Sequence, residues 1–513
     1  MKFKCQHVLI LLITFFQIVS LNGSRPGNSY LRASSGHGQD SSSVASKLSS
    51  GVTEIFSTHS AFAALKEDGS IVTWGNGNNG GDSTSVASEL CRGVIKICSN
   101  DQAFAALKED GSVITWGTDY CGGDSSSVAP ELSSGVTEIF SSRGSFAALK
   151  NDGSVVTWGY SDGGGDSSSV APELSSGVTE IFSTAYAFAA LKNDGSVVTW
   201  GQSSNGGDSS SVASELSSGV TEIFSTKSGF RFYPYGGNIS GAAFAALKED
   251  GSVITWGTDY CGGDSSSVAS ELTSGVTEIF STNSAFAALK QDGSVVTWGD
   301  ERSGGDNEYQ HDEHADYYGI EWTIRMKMTS ALNNLFRDKS LRNVVTITSN
   351  NAAFAAVKEN GSAVTWGLKT CGGDSQIWLW GYGYFGPGGS VARELRNGVV
   401  EIFSTSSAFA ALKDDGSVVT WGAAGEYNYG AISSDVASDL RGGVVKIFST
   451  FGAFAALKED GSVIVWGDTT FGGLNSSFKR FSEALKITSG VVEIFSTSGA
   501  FAALKEDGSV VTW

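Results

Sequence analysis

The sequence predicts an all-β fold, a β-propeller-type tandem repeat array of about ten three-stranded blades. The first observation behind this prediction is a near-verbatim repeat: AFAALKEDGSIVTWG at 61–75 returns as AFAALKEDGSVITWG at 103–117 and in eight further copies. Within each copy, short runs of β-forming residues are separated by an Asp-Gly or Asn-Gly turn. Both faces of the predicted sheet are apolar, which requires other sheets to cover it on both sides.

One tryptophan marks each copy of the repeat. The early copies are 42 residues apart and later intervals are longer, so insertions interrupt a 42-residue unit. Such a period is typical of propellers and other arrays in which each unit packs against its neighbours. The marker tryptophans are Trp74, Trp116, Trp158, Trp200, Trp256, Trp298, Trp366, Trp421, Trp466 and Trp513. The insertions lie near 227–242, 301–342 and 375–389.

The first unit shows how a blade is built. Three segments are rich in apolar and β-branched residues and are predicted to be strands: Val52–Thr58, Ala61–Lys66 and Ser70–Trp74. Residues 67–69 form the turn between the second and third strands, and Gly69 supplies a positive φ angle there.

The three-residue turn also fixes the register of this hairpin. It places Phe62 opposite Trp74 on one face of the sheet. The same face carries Ala64 and Val72, and the other face carries Ala63, Leu65 and Ile71. Because alanine is small, neighbouring sheets can approach closely, and the tryptophan fills the wider gap between them.

Asp82–Leu90 connects the first unit to the second. Serine and aspartate precede Val86 and Leu90, whose spacing predicts one short helical turn. Pro130 and Pro172 in equivalent connections keep any helix brief. The Gly-Gly-Asp that opens seven of the connections is interpreted as a turn or cap, because calcium-binding repeats need aspartates far closer together.

The repeat motif resembles the superfamily that joins the regulator of chromosome condensation to beta-lactamase-inhibitor protein II. The shared features are an apolar strand, an Asp-Gly turn, V-x-x-W-G and a glycine-rich segment, written here as AALKEDGSVVTWG and GGD. The resemblance covers about 41–513 and implies a propeller, which that family builds with seven blades. Since ten units exceed seven, one enlarged ring, seven blades plus three, and a fragment of a longer array all stay open. Ala61-Phe62 stands where the chromatin branch has histidine, which argues against its exchange-factor activity.

The N-terminal segment indicates export. Residues 1–23 combine a basic start at Lys2 and Lys4 with a short apolar run at 8–16, as signal peptides do, and 24–40 read as a polar linker. We therefore expect a secreted or lumenal protein. In that compartment Asn238, Asn360 and Asn475 are candidate glycosylation sites.

Cysteine usage does not predict a disulfide framework. Five cysteines remain after the signal peptide, an odd number. Cys121, Cys261 and Cys371 occupy one equivalent position in different units, too far apart to bridge, so mostly free thiols are expected.

Charge and residue types narrow the function classes. The formal charge of −20 repels phosphate backbones and anionic lipid, so we expect neither a nucleic-acid partner nor membrane insertion. The chain has five histidines and no nucleophile elbow or phosphate loop, so no enzyme, catalytic residue, cofactor or metal site is predicted. The one cluster of metal-ligand types, at 311–316, is interpreted as a solvated acidic loop.

We expect a non-catalytic secreted binding or scaffold module that recognises a protein or glycan. Since the repeated surfaces are nearly identical, recognition is expected to use the aromatic insertions, because loops on rigid scaffolds commonly carry function. The candidate partner-binding residues are Phe230, Arg231, Tyr233, Tyr235, Tyr317, Tyr318, Trp322, Trp378, Trp380, Tyr382, Tyr384 and Phe385. The alternatives are an inhibitor of a secreted hydrolase and a structural surface repeat protein.

Overall fold

The computed structural model describes residues 40–226, 229–231, 239–306, 341–375, 391–422, 429–473, 487 and 489–513. In them the predicted all-β array is confirmed: ten units each form a three-stranded antiparallel sheet whose strands follow one another in chain order. We call the three strands of a unit inner, middle and outer. A two-stranded ribbon of Gly229–Arg231 and Ile239–Gly241 lies between the inner and middle strands of the fifth unit.

The inner strands are Val52–Ser57, Val94–Ser99, Val136–Ser141, Val178–Ser183, Val220–Ser225, Val276–Ser281, Val344–Ser349, Val399–Ser404, Val444–Ser449 and Val491–Ser496. The middle strands are Ala61–Lys66, Ala103–Lys108, Ser145–Lys150, Ala187–Lys192, Ala243–Lys248, Ala285–Lys290, Ala353–Lys358, Ala408–Lys413, Ala453–Lys458 and Phe501–Lys505. The outer strands are Ile71–Gly75, Val113–Gly117, Val155–Gly159, Val197–Gly201, Val253–Gly257, Val295–Gly299, Ala363–Gly367, Val418–Gly422, Val463–Gly467 and Val510–Thr512.

The helical segments of the described residues are all short 3-10 turns, as expected for the connections. One group follows the outer strands: Gly77–Asn79, Asp119–Cys121, Ser161–Gly163, Ser203–Asn205, Asp259–Cys261, Glu301–Ser303, Lys369–Cys371 and Thr469–Phe471. The other group lies in the connections between units: Ser42–Val44, Thr84–Val86, Ser126–Val128, Glu131–Ser133, Ser168–Val170, Glu173–Ser175, Ser210–Val212, Ser266–Glu271, Val391–Arg396, Ser434–Val436 and Asp439–Arg441. The amphipathic pattern at 331–336, in the second insertion, also predicts a short helix, and it lies outside the described residues.

The predicted hairpin register is confirmed, with Phe62 opposite Trp74. The strand ends differ by one residue because side chains hold the flanking positions in loops. The Asp68 carboxylate accepts from the backbone N–H and the hydroxyl of Ser70, which keeps Ser70 in the turn. Thr58 likewise ends the inner strand because its hydroxyl accepts from Ala61 N–H. Gly69 has φ 72°, and a Cβ there would lie 2.6 Å from the Gly93 nitrogen of the next unit.

The hydrophobic core is divided among the interfaces between units, as the two apolar faces predict. One face of the first sheet packs Phe62 and Trp74, stacked 5.1 Å apart, against Ala502 of the tenth unit. The other face packs Ala63 with Phe104 of the second unit. Each sheet is therefore covered on both sides by its neighbours.

The ten units close into one ring. Val510 donates its N–H to Leu48 O (3.2 Å), just as Val197 donates to Leu216 O (3.0 Å) within the array. The connection that completes the tenth unit therefore comes from the start of the array. Of the three arrangements that the repeat count left open, the enlarged ring is the one observed.

Hydrogen bonds between serines of neighbouring inner strands show the same closure. Ser99 donates its hydroxyl to the carbonyl of Ser57, its counterpart in the preceding unit, at 2.6 Å. Ser57 in turn donates to Ser496 of the tenth unit at 2.9 Å, so the first and last units are joined by the bond that joins consecutive ones.

Candidate functional site

Among the described residues, sequence differences between the units concentrate on one face of the ring. This variable face consists of the inner–middle loops and the turns that follow the outer strands, 58–60 and 76–81 in the first unit. The two segments meet because Asn76 donates its N–H to Ser60 O and the Thr58 hydroxyl donates to Asn79 O, both at 2.9 Å. At the central loop position the nine units whose residue is described carry His59, Asp101, Arg143, Ala185, Asn283, Asn351, Ser406, Phe451 and Ser498.

The opposite face is nearly constant. Its turns, such as 67–69, read Glu-Asp-Gly or a close variant in every unit. Serine donates two hydrogen bonds to the turn aspartate, for example Ser154 to Asp152, and these bonds lower the pKa of that carboxyl. The aspartate of the Gly-Gly-Asp segment accepts from a backbone N–H in the same way, as Asp82 does from Thr84. These aspartates have the turn role that the sequence predicts.

Backbone contacts hold the variable loops whatever side chains they carry. His59 donates its N–H to Asp101 O (2.9 Å), and Arg143 donates to Ala185 O (3.0 Å), so the loops are linked from unit to unit. The marker tryptophans fix the other segment, since Trp116 Nε1–H donates to Gly80 O of the preceding unit at 3.0 Å. Neither kind of bond depends on the identity of a variable side chain.

Three tyrosines from successive units meet on this face, and we call them the tyrosine cluster: Tyr120, Tyr160 and Tyr186. The ring centroids of Tyr120 and Tyr160 are 4.8 Å apart, and Tyr160 meets Tyr186 edge-on at 6.2 Å. Tyr120 is 63% exposed. Tyr160 O–H donates to Asp162 at 3.3 Å. A hydrogen bond to Tyr120, together with the nearby charge of Asp162, raises the pKa of Tyr160 to about 12, so its phenol stays neutral.

Arg143 binds against one member of the cluster. Its Nε donates to the Asp101 carboxylate at 2.8 Å, and its Nη1 donates to the Tyr186 hydroxyl at 3.1 Å. Its guanidinium carbon lies 5.8 Å from the centre of the Tyr186 ring, a cation–π distance. The cluster therefore already contains one guanidinium held between a carboxylate and an aromatic ring.

A second aromatic group lies on the same face five units further around the ring. Tyr429, Phe451 and Phe471 come from the eighth and ninth units, and the Phe451 and Phe471 centroids are 5.3 Å apart. In a ten-unit ring, five units separate opposite sides. Two aromatic groups therefore lie across the ring opening from each other.

The inner strands line the ring opening. Since stacked sheets lie about 10 Å apart, ten inner strands enclose a circle of at most roughly 30 Å across between Cα atoms. One position in each inner strand forms a charged ring of seven glutamates, two lysines and a threonine: Glu54, Lys96, Glu138, Glu180, Glu222, Glu278, Thr346, Glu401, Lys446 and Glu493. Lys96 pairs with Glu138 at 2.7 Å and Lys446 with Glu493 at 3.4 Å.

Four consecutive glutamates of this charged ring, Glu138, Glu180, Glu222 and Glu278, have no lysine between them. Burial raises the pKa of Glu180, and the negative charges of Glu222 and Glu138 raise it further. The same two causes, burial and the charge of Glu222, raise the pKa of Glu278, and burial raises that of Glu222. The opening therefore carries negative charge whose neutralisation favours the folded ring.

The described residues contain no cluster of three or more metal-ligating side chains and no helix long and apolar enough to cross a membrane. None of their five cysteines forms a disulfide: Cys91 is exposed, Cys98 is half-buried, and the three at equivalent turn positions, Cys121, Cys261 and Cys371, are buried.

Three of the sequence-predicted site residues lie among the described residues. The backbone of Phe230 and Arg231 lies in the two-stranded ribbon on the variable face. Asn360 is exposed on a hairpin turn and its amide oxygen accepts from Ser362. The other predicted residues lie outside the described ones: Tyr233, Tyr235, Asn238, Tyr317, Tyr318, Trp322, Trp378, Trp380, Tyr382, Tyr384, Phe385 and Asn475. The cluster at 311–316 does so as well.

Comparison with known proteins finds similar solved structures at low sequence identity. No protein-family model and no curated protein matches the chain. A structure of yeast RCC1 (Prp20) bound to Kap60 is 13% identical with a TM-score of 0.36, covering 95% of this chain and 98% of that one. Prp20p from Saccharomyces cerevisiae, described with its binding to Gsp1p and histones, is 15% identical with a TM-score of 0.30 and coverage of 74% and 72%. Human WBSCR16 is 15% identical with a TM-score of 0.30 and coverage of 49% and 78%. The solved structures similar to this chain thus include the regulator of chromosome condensation, whose family its repeat motif resembles.

Proposed function

We propose that the chain is a non-catalytic scaffold that binds a protein partner through its variable face. The observation that carries this proposal is the segregation of sequence differences. The cores and the hairpin turns of the ten units are nearly the same, whereas the loops of one face differ from unit to unit. A recognition surface needs such differences, because ten identical loops would present the same chemistry ten times.

The construction of the variable face supports the same function. Its loops are held by backbone and tryptophan hydrogen bonds, so little conformational entropy is lost when a partner binds. The tyrosine cluster and Arg143 are the residue types that dominate binding hot spots. The two-stranded ribbon that contains Phe230 and Arg231 extends this face at the fifth unit.

Export belongs to the proposal as well. The signal-peptide pattern at 1–23 supports a secreted or lumenal protein, in which Asn360 is exposed and open to glycosylation. A partner would then be another exported protein. The strong negative charge favours a partner whose contacting surface is basic.

Photocrosslinking from defined positions tests the binding face. A photoreactive amino acid is placed at exposed Ser161 or Ser203 on the variable face, or at exposed Glu67 or Glu249 on the hairpin face. Each full-length variant is irradiated with extracellular and cellular fractions of the source organism. We expect one protein to be captured from the first pair of positions and not from the second. Capture from both faces alike, from neither face, or of a glycan only would overturn the proposal.

A further inference from the structure

Two neighbouring places on the variable face contain the same chemical groups, but only one of them holds a cation. The first is the site of Arg143, whose guanidinium lies between the Asp101 carboxylate and the Tyr186 ring. The second is formed by Tyr120, Tyr160 and Asp162 one step around the cluster.

The second place presents aromatic surface and negative charge together. Tyr120 is 63% exposed, and Asp162 is exposed with its carboxylate 3.3 Å from the Tyr160 hydroxyl. Asp119, the residue before Tyr120, is exposed too and adds a second carboxylate to this part of the face. Among the described side chains no lysine or arginine forms an ion pair or a ring contact with these groups.

The charge of the first place does not cancel that of the second. Asp101 pairs with Arg143 at 2.8 Å, so these two residues are neutral as a pair. Asp119 and Asp162 are left with a combined charge of −2 beside electron-rich rings. Such a surface attracts a cation, and a planar guanidinium can stack on tyrosine while it donates to a carboxylate.

We propose that Tyr120, Tyr160 and Asp162 form a docking site for an arginine side chain of the protein partner. The site repeats between two molecules the contact that Arg143 makes within one. The inference rests on the proposed function, because it assigns the partner's contacting residue on the variable face.

Titration with a small arginine analogue tests the site directly. The full-length protein is labelled with 3-fluorotyrosine at position 120 and followed by fluorine NMR. The probes are N-acetyl-arginine methylamide and the matched citrulline compound, which has nearly the same shape and no charge. We expect a saturable shift in the millimolar range with the arginine compound and little change with the citrulline compound.

Two charge variants separate a local site from general electrostatics. Asp162→Asn should weaken binding about three- to tenfold, because it removes the carboxylate that faces the guanidinium. Glu67→Gln makes the same change of charge on the hairpin face and should leave binding unchanged. Equal shifts with both compounds, equal weakening by both variants, or no saturable shift would each overturn the docking site. If crosslinking from the variable face still captures a partner, the proposed function survives that failure, and another part of the face makes the contact.

Discussion

Closure of the ring makes a prediction that matched substitutions can test. Leu48 and Leu216 are both 2% exposed, and each accepts a backbone hydrogen bond from an outer strand, Leu48 from Val510 and Leu216 from Val197. Leu48 is nevertheless 462 residues away from its partner in sequence. If the ring is closed, replacing either leucine with alanine should have the same local effect.

The magnitude follows from the buried volume that is lost. A fully buried Leu→Ala substitution costs about 2–5 kcal/mol, because it removes apolar contacts and leaves a cavity. If the whole loss falls on one interface, the lower value of about 2 kcal/mol makes local opening of that interface roughly 30-fold more favourable, at about 1.4 kcal/mol per factor of ten. Since units contact mainly their neighbours, the effect should stay near the altered interface.

Hydrogen exchange measured by mass spectrometry resolves the two sites separately. Leu48→Ala should accelerate exchange in the tenth unit, 489–513, and Leu216→Ala should do the same in 187–201. Ser49→Ala, at an exposed neighbour of Leu48, is the control and should change neither segment. If Leu48→Ala leaves 489–513 protected while Leu216→Ala exposes its own segment, the array is open in solution and the reasoning fails.

Further predictions follow from the interfaces between units, from the charged ring and from the N-terminus. Trp158→Ala should lower the local free energy of unfolding by about 3–5 kcal/mol, because Trp158 is 2% exposed and its Nε1–H donates to Gly122 O. Hydrogen exchange at 118–123 should then rise. Unchanged exchange there would show that Trp158 does not hold this turn. Glu222→Gln should stabilise the protein at pH 7 by about 0.5 kcal/mol, measured by urea unfolding. The folded-state pKa of Glu180, Glu222 and Glu278 is raised, so these carboxyls keep protons in the folded protein that the unfolded chain has already released. Their contribution to stability should therefore fall as pH rises above about 4.5, the ordinary glutamate value, and it should fall less in that variant. N-terminal sequencing of the native protein should find cleavage between roughly residues 20 and 24, and a chain that still starts at Met1 would contradict export.

The blade could be predicted almost residue by residue because each of its determinants is local. The 42-residue period, the Asp-Gly turn and the alternation of Phe62 and Trp74 with small residues fix three strands and their register. The number of units in the ring could not be predicted. It depends on the angle between neighbouring sheets, which is set by how Phe104 and its neighbours pack against the alanines of the preceding unit.

The tyrosine cluster was missed because its members come from three units and from three different repeat positions. Tyr120, Tyr160 and Tyr186 stand where the first unit has Asn78, Asn76 and Ser60. Each is an aromatic residue at a position that varies, and a comparison of the repeats position by position would have found them. Their proximity follows only from the ring, which brings the end of one outer strand beside the inner–middle loop of the next unit.

Near-identity of the units and variability of one face are two consequences of the same construction. Each interface must set the same angle between neighbouring sheets. Ala63, Phe62, Trp74 and their counterparts therefore recur almost without change. The variable loops are held by bonds from N–H and carbonyl groups and by Trp Nε1–H, so a side chain such as that of Arg143 can change without loss of the scaffold. A chain built in this way can acquire recognition one loop at a time, and the charge and aromatic content of a few loops then decide which partner is bound.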